Sequence, residues 1–343
     1  MNMVFFATFR ILVVSTLQIK DVRRAALLAV TLWCGTVFST PVAAQASYPS
    51  RPIRVVTPLA AGAASDIALR ILAEKLSNHL GVRVLVQNEP GGAGVIAYRS
   101  VTTARADGYT ILWAGNNTAT GVSLFREPVD PRTELRPIVG VSEFAYLFVT
   151  SANSPYSTLR QWIAAAKEKP GTLSVGTSSA GTTNYLAALL FKSMQKLDFA
   201  VVPYRGPSEL TVALLRNDVD LVINAYGGLR SQIGTKQIRP LAVTSDGRDP
   251  DLPDVPTTQE AGLPDFTVVS WNALYGPKDI PQQAVDILGR AATEILEEPD
   301  VKAKLKEIGF DARPLAAGPL DQRMRSEIDR WARVIAEAGL EKQ

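Results

Sequence analysis

Short apolar runs alternate with amphipathic stretches along most of the chain. The first run, Ile53–Thr57, is rich in β-branched residues, which is typical of a buried strand. A loop of small residues follows, and apolar residues then recur at helical spacing over residues 67–80, with Gly81 as the predicted stop. Ser65 or Asp66 is the expected N-cap of this helix. The first unit is therefore a strand, a small-residue loop and a helix.

Strands and helices then follow one another in two series, which favours a parallel α/β sheet. The further predicted strands cover residues 82–87, 109–114, 173–175, 199–203, 221–224 and 238–244. The predicted helices of the tail cover residues 284–296, 300–308 and 320–335, and Thr158 is the expected N-cap of a helix between the series.

Two extended segments, 139–150 and 267–274, connect the two series. The helical tail must pack on a sheet, and the first series has few helices of its own to cover both faces. We therefore expect the chain to cross to a second domain near residue 147 and to return near residue 268. This predicts one domain of residues 47–146 plus 268–343 and a second domain of residues 147–267.

Each series contains a loop of small and hydroxyl residues between a strand and a helix, at residues 58–66 and 177–184. Glycines in such loops let N–H groups point outward, hydroxyls add donors, and the helix N-terminus adds a partial positive charge. Ligands of open α/β sheets lie beside such loops. Two lobes facing each other across a hinge would clamp a small solute, and an anion is expected. A turn that merely caps the helix is the alternative for residues 177–184.

Composition adds a class and a compartment. The 343 residues are 46% hydrophobic and 20% charged, which is typical of a globular protein of about two domains. The formal net charge of +3 equals the excess of cationic residues within positions 1–46, so the remainder is neutral and gives no electrostatic argument for nucleic acid or an anionic membrane. Residues 1–46 are the predicted signal peptide, with secretory order from residue 23, and residues 1–20 are alternatively an extension upstream of the real start. Cleavage is predicted after Ala46, with Ala44 as the next choice. A retained N-terminal anchor is the alternative.

Residues suited to catalysis are scarce. His79 is the only histidine and is expected to interact with a helix C-terminus, while the only cysteine, Cys34, lies in the predicted signal. A nucleophile relay or a zinc site needs more of these side chains. Residues 92–97 match the dinucleotide pattern G-x-G-x-x-A, but the glycines do not directly follow a first strand and no acidic residue ends the next one. We expect no catalytic residue, cofactor or metal, with a secreted α/β enzyme as the alternative.

Several ordered motifs resemble one known family. They are the export signal, Tyr-Pro-Ser-Arg-Pro-Ile at 48–53, the loops at 58–66 and 88–94, Asp-Gly-Tyr-Thr at 107–110, Val-Pro-Tyr-Arg-Gly at 202–206, Leu-Ala-Val-Thr-Ser at 241–245, and the segment 253–262. The chain resembles the periplasmic receptors of tripartite tricarboxylate transporters, the Bug or TctC family. The resemblance implies a two-domain periplasmic binding protein of type II, a Venus flytrap with two crossing strands. It implies a monomer that binds a mono- or dicarboxylate for membrane transporter subunits, although a partner that is a sensor stays open.

The resemblance also implies where the ligand binds. The expected ligand-binding residues are Leu59, Ala60, Gly62, Ala63, Ser65, Asp66, Thr177, Ser178, Ser179, Gly181, Thr182, Thr183, Tyr204 and Asn224. The chain departs from the family pattern at Leu59, where an aromatic is usual, and at Ala61, Ala63 and Tyr185, where proline, glycine and histidine are usual. Asp66 could bind an amino group, but a helix cap is preferred. Trp271 is expected to pack in the hinge or core.

Overall fold

The computed structural model describes residues 48–91, 94–179 and 182–342. The predicted signal segment, its cleavage site after Ala46, and Gly181 lie outside the described residues. Contacts group Tyr48–Gln343 as one compact unit.

Ten strands form one mixed sheet in the described part of the chain. They are β1 Ile53–Thr57, β2 Val84–Asn88, β3 Thr110–Gly115, β4 Leu135–Ser151, β5 Ser174–Thr177, β6 Ala200–Pro203, β7 Leu221–Ala225, β8 Ile238–Val243, β9 Val269–Pro277 and β10 Asp311–Ala316. The 17-residue strand β4 belongs to two halves of this sheet, because its first part pairs with β9 and its last part pairs with β7 and β8.

The two halves of the sheet have the same strand order. The first half runs β2-β1-β3-β9-β4, and the second runs β6-β5-β7-β4-β8. In the first half, β9, which returns from the second half, lies between β3 and β4. In the second half, β4, which comes from the first half, lies between β7 and β8. The pairing partner of β4 changes from β9 to β7 between Ala145 and Tyr146. The fold is thus a two-lobed α/β fold in which β4 and β9 cross between the lobes. The exact domain limits stay a prediction.

The prediction of a parallel sheet is correct for only part of the structure. The pairs β1–β2, β1–β3, β5–β6 and β5–β7 are parallel. The pairs made by the crossing strands are antiparallel, as is the pair of β10 with β4. A strand that enters from the opposite lobe runs against its neighbours, so the sheet is mixed. Strand β10 was not predicted, because the tail was interpreted as helical throughout.

The helices pack on both faces of the sheet. They are α1 Ala64–Leu80, α2 Val95–Thr102, α3 Asn116–Leu124, α4 Pro131–Glu134, α5 Leu159–Glu168, α6 Thr183–Gln195, α7 Pro207–Leu215, α8 Arg230–Gly234, α9 Gln282–Glu297, α10 Pro299–Glu307 and α11 Ala317–Glu337, with a 3₁₀ turn at Tyr226–Gly228. The predicted cap at Thr158 is confirmed, since its side chain accepts the Gln161 N–H. The predicted cap of α1 is wrong, because Ala63 is the N-cap and Ser65 and Asp66 lie inside the first turn.

The last helix connects the two lobes. Leu320, Met324 and Ile328 pack in a core of the first lobe that also contains Trp271, which is buried as predicted. One turn further along α11, Trp331 and its neighbours pack in the core of the second lobe around β4. The lobes therefore share the buried face of this helix as well as the two crossing strands.

Candidate functional site

The first loop is shaped by a buried carboxylate. The Asp66 side chain is fully buried and accepts hydrogen bonds from Gly62 N (2.9 Å), Arg70 Nε (2.9 Å) and Asn88 Nδ2 (2.7 Å). Gly62 has φ +84°, a left-handed conformation that favours glycine. Asn88 also donates to the carbonyl of Leu59 (3.0 Å), so the loop is held at both ends.

The charge of Asp66 is satisfied within the protein. Burial alone raises the pKa of this carboxyl, but the bonds from Arg70, Asn88 and Gly62 outweigh burial and lower it overall. Asp66 does not cap α1, and both of its oxygens already accept hydrogen bonds from the protein. In the structure Asp66 holds the loop, and its direct contact with a ligand stays a prediction.

Ser65, the neighbour of Asp66, ties α1 to the returning strand. Its Oγ donates to Asn272 Oδ1 (2.6 Å) and accepts from Trp113 Nε1 (3.0 Å). Asn272 in turn donates to Ser142 Oγ on β4 (3.0 Å). The N-terminus of α1 is therefore fixed directly against the two crossing strands.

The second loop closes on the buried amide of Asn184. Asn184 Nδ2 donates to Ser178 Oγ (3.1 Å) and to the carbonyl of Ile223 (3.0 Å), while its Oδ1 accepts from Thr182 Oγ1 (2.8 Å). The single proton of the Thr182 hydroxyl is shared between Asn184 Oδ1 and the carbonyl of Ser179 (2.7 Å). The hydroxyl residues of this loop thus bond mainly to one another, which fixes the main chain ahead of α6.

Thr183 ties the second loop to the same returning strand. Its side chain hydrogen-bonds to the hydroxyl of Tyr146, and that hydroxyl lies 2.9 Å from Ser270 Oγ. Burial raises the pKa of Tyr146 to about 12, against the lowering effect of these two bonds. The phenol therefore stays neutral at physiological pH and acts as a fixed hydrogen-bond bridge.

The two loops lie over one face of the crossing strands, and we call the space between the lobes on this face the cleft. Ser270 and Asn272 are two residues apart on β9, so their side chains point to the same face and are separated by roughly 7 Å along the strand. Neither α1 nor α6 has a side-chain cap hydrogen bond at its N-cap, Ala63 or Thr182. The first N–H groups of a helix lack acceptors inside the helix. Two such helix ends converge on this cleft, the arrangement that favours an anion.

The other predicted residues lie at differing distances from this arrangement. Tyr204 joins the second loop through its main chain, since its N–H donates to the carbonyl of Thr177 (2.9 Å), while its side chain packs against the core cluster that contains Leu147. Asn224 is buried and pairs with Leu147 in register, and its Nδ2 has no partner among the described residues. Leu59 packs against the core of the first lobe, and Ala60 is exposed.

Sequence reasoning missed the residues that bind the loops together. Asn88, Tyr146, Ser270 and Asn272 were not singled out. A signal existed in β9, where Ser270 and Asn272 occupy alternate positions of an otherwise apolar, buried strand. Buried polar residues at period two indicate that one face of a strand makes specific hydrogen bonds.

Few titratable groups could support chemistry in the described part of the chain. No cluster of three or more histidine, cysteine, aspartate or glutamate residues suited to a metal is present there. His79 lies on the surface, with Nε2 3.6 Å from a carboxylate oxygen of Glu294. Among the described helices, none is both long and apolar enough to cross a membrane.

The comparison with known families decides the class. Residues 68–340 match the sequence pattern of the TctC family, described as the tripartite tricarboxylate transporter family receptor. The chain belongs to this family. The TctC chain is 31% identical to the protein BugT of Bordetella pertussis over 306 residues, which cover 88% of this chain and 93% of BugT.

Solved structures agree with this membership. A protein of R. palustris, Rpa4515 with adipate, superposes with a TM-score of 0.76 at 29% identity, covering 86% of the TctC chain and all of its own. MatC of Rhodopseudomonas palustris with bound malate gives a TM-score of 0.73 at 28% identity, covering 84% and 100%. The family consists of solute-binding receptors, and the predicted family and fold class are confirmed.

Proposed function

We propose that this TctC chain is an extracytoplasmic receptor that captures a small mono- or dicarboxylate between its two lobes. The observation that carries the proposal is the convergence of two uncapped helix N-termini, those of α1 and α6, on one face of the crossing strands. Main-chain donors from both loops would hold the carboxylate, with the Ser178 hydroxyl as a further donor, since Ser178 Oγ accepts from Asn184 and its own proton is left for a ligand.

The chemistry of the cleft favours acids without an amino group. Asp66, the carboxylate of the first loop, already accepts hydrogen bonds from three residues of the protein, Gly62, Arg70 and Asn88. A ligand ammonium would have to displace Arg70 or Asn88 to reach it, and would face two positively polarised helix ends. Relatives that contain adipate and malate support an acid of this kind.

The remaining parts of the proposal concern the cell. We infer export to the periplasm with removal of the signal after Ala46, and delivery of the solute by a monomer to membrane transporter subunits. Residues 47–146 plus 268–343 would form one domain and residues 147–267 the other. No catalytic residue, metal or cofactor takes part in this function.

Thermal unfolding of the exported protein with a panel of solutes tests the proposal. Succinate and aspartate form a matched pair, because they share a carbon skeleton and differ by one ammonium group. A ligand at 100 times its Kd stabilises by about 2.7 kcal/mol. We expect malate, adipate or succinate to raise Tm, and aspartate to raise it less than succinate. Stabilisation by amino acids or sugars alone would overturn the assignment.

Turnover of the stabilising acid separates the receptor from an enzyme. The acid is recovered after prolonged incubation with the protein and compared with an incubation without protein. Chemical conversion of the acid would favour the secreted α/β enzyme. Unchanged acid together with a raised Tm is the expected result.

A further inference from the structure

A second cavity lies between the lobes, away from the two loops. Its volume is about 310 Å³, and it is lined by both halves of the molecule. Gly309, Asp311 and Arg313 line it from the first lobe, and Tyr226 and the segment 245–250 line it from the second. We call it the hinge cavity.

The hinge cavity and the cleft lie on opposite faces of the crossing strands. In β4, Ser142 and Tyr146 bond to residues of the cleft, whereas the alternate residues Glu143, Ala145 and Leu147 line the hinge cavity, which Phe144 also borders. Successive side chains of a strand point to opposite faces, and the register of β4 with β9 is regular from Ser142 to Ala145. The hinge cavity therefore lies behind the cleft.

Beside the hinge cavity, charged residues join the lobes. Lys306, at the end of α10 in the first lobe, lies 3.2 Å from Asp249 and 3.9 Å from Asp251 in the second. Arg230 of the second lobe donates to the carbonyls of Lys306 (3.2 Å) and Glu307 (3.3 Å) and pairs with Asp251 (3.3 Å). We call these five residues the latch.

The main chains of the two lobes also touch beside the latch. A Cβ atom added to Gly227 would collide with the carbonyl oxygen of Ile308, and one added to Gly309 would lie 2.7 Å from Gly227 Cα. Such close approach needs glycine on both sides. The two main chains therefore pack directly against each other, and this part of the interface between the lobes does not depend on long side chains.

We propose that the latch is a conformational device that opposes closure of the cleft and so sets the affinity for the solute. When the lobes turn about β4 and β9 so that the loops approach, residues behind the crossing strands move apart. Closure must then break the latch. This inference rests on the proposed function, since closure around a solute is what the latch would oppose.

The contacts of Lys306 limit how strongly the latch can oppose closure. Lys306 also lies 3.4 Å from Asp311 in its own lobe, so its charge keeps a partner after the lobes separate. Partly exposed ion pairs contribute modestly. Because apparent affinity scales with the fraction of competent conformer, we expect removal of the Lys306 charge to lower Kd by about twofold to fivefold.

Two variants test the proposal by independent routes. Lys306→Met keeps the aliphatic stem and removes the charge. Ala145→Phe fills the floor of the hinge cavity and hinders the lobes from settling together behind the strands. Lys302→Met is the matched control, because Lys302 lies on the same helix and pairs with Glu297 of its own lobe. Binding of malate and adipate is measured by calorimetry, and the radius of gyration of the solute-free protein by X-ray scattering.

The expected result is a lower Kd and a smaller solute-free radius of gyration for Lys306→Met and Ala145→Phe, with Lys302→Met equal to the wild type. If Lys306→Met behaves as Lys302→Met in both measurements, the latch proposal is overturned. If the radius of gyration falls as expected but neither malate nor adipate binds to any form, the latch stands and the proposed solute class fails. Circular dichroism spectra confirm that each variant is folded.

Discussion

Replacement of Asp66 by asparagine isolates the charge that shapes the first loop. The carboxylate is fully buried and accepts from Gly62 N, Arg70 Nε and Asn88 Nδ2. Asparagine has nearly the same shape, but it offers one oxygen and places an NH₂ group against a neighbouring donor. At least one of the three hydrogen bonds is lost, and the buried charge disappears with it.

The expected loss in free energy of unfolding depends on which of the Asp66 hydrogen bonds water can replace. Hydrogen bonds to a charged group contribute about 1.5–3 kcal/mol each. The Arg70 side chain is 49% exposed, so water replaces much of what that pair contributes. Water cannot replace the bond from the Gly62 N–H in the same way, because the conformation of the loop depends on that bond. We expect Asp66→Asn to lower the free energy of unfolding by about 2 kcal/mol, and Tm by roughly 4 °C.

The pH dependence has a definite sign. The pKa of Asp66 is lowered in the folded protein, because the bonds from Arg70, Asn88 and Gly62 outweigh the opposing effect of burial. A depressed folded pKa gives stability that is fully present above the unfolded pKa, near 3.9, and is lost as pH falls through the folded value. The stability difference between wild type and Asp66→Asn is therefore constant from pH 5 to 8 and shrinks below about pH 4.

Urea denaturation at pH 7.5 and pH 3.5 measures both effects. The matched control is Asp321→Asn, because Asp321 also pairs with an arginine four residues on, Arg325 at 2.7 Å, but on an exposed surface. We expect the control to change stability by less than about 0.5 kcal/mol. Equal effects of Asp66→Asn and Asp321→Asn at pH 7.5 would refute the reasoning. A difference undiminished at pH 3.5 would show that ionisation is not its source.

Three further substitutions test other parts of the structure. Thr183→Val removes the bond to Tyr146, and calorimetry with malate or adipate should show about tenfold weaker binding. Thr183→Ser should restore the binding, and equal Kd values for the two variants would contradict this expectation. Gly62→Ala, at φ +84°, should cost about 1 kcal/mol in urea denaturation, and an unchanged midpoint would mean that the loop adopts another conformation. Trp331→Ala removes a fully buried ring and its bond to Glu327, so stability should fall by about 3–5 kcal/mol; a loss under 1 kcal/mol would exclude a core role.

Much of the fold could be predicted from local pattern. The strand, loop and helix units after Ile53 were placed within a few residues, since buried strands and amphipathic helices carry their periodicity in the sequence. The cap of α1 was misplaced because serine and aspartate favour the N-cap position, and here Ser65 and Asp66 are held by tertiary partners instead. Strand β10 was missed because its pairing with β4 depends on an edge that only the folded sheet provides.

The candidate site was also only partly predictable from the sequence. The two loops were found from their small and hydroxyl residues, and the comparisons confirm the family to which they pointed. The sequence did not reveal that the Asp66 carboxylate accepts hydrogen bonds from Asn88 and Arg70, nor that Tyr146 bridges Thr183 and Ser270. Those relations depend on distances between side chains from different strands.

By itself, the sequence determined most of the strands and helices, the two loops of small and hydroxyl residues, and the receptor family, because each depends on residues close together in the chain. The tertiary structure decided how the loops meet. Ser65 and its partner Asn272 are 207 residues apart, and Tyr146 and Ser270 are 124 apart. No periodicity records such pairs, since they form only when β4 and β9 cross between the lobes. The same crossing places the cleft on one face of the strands and the latch behind it.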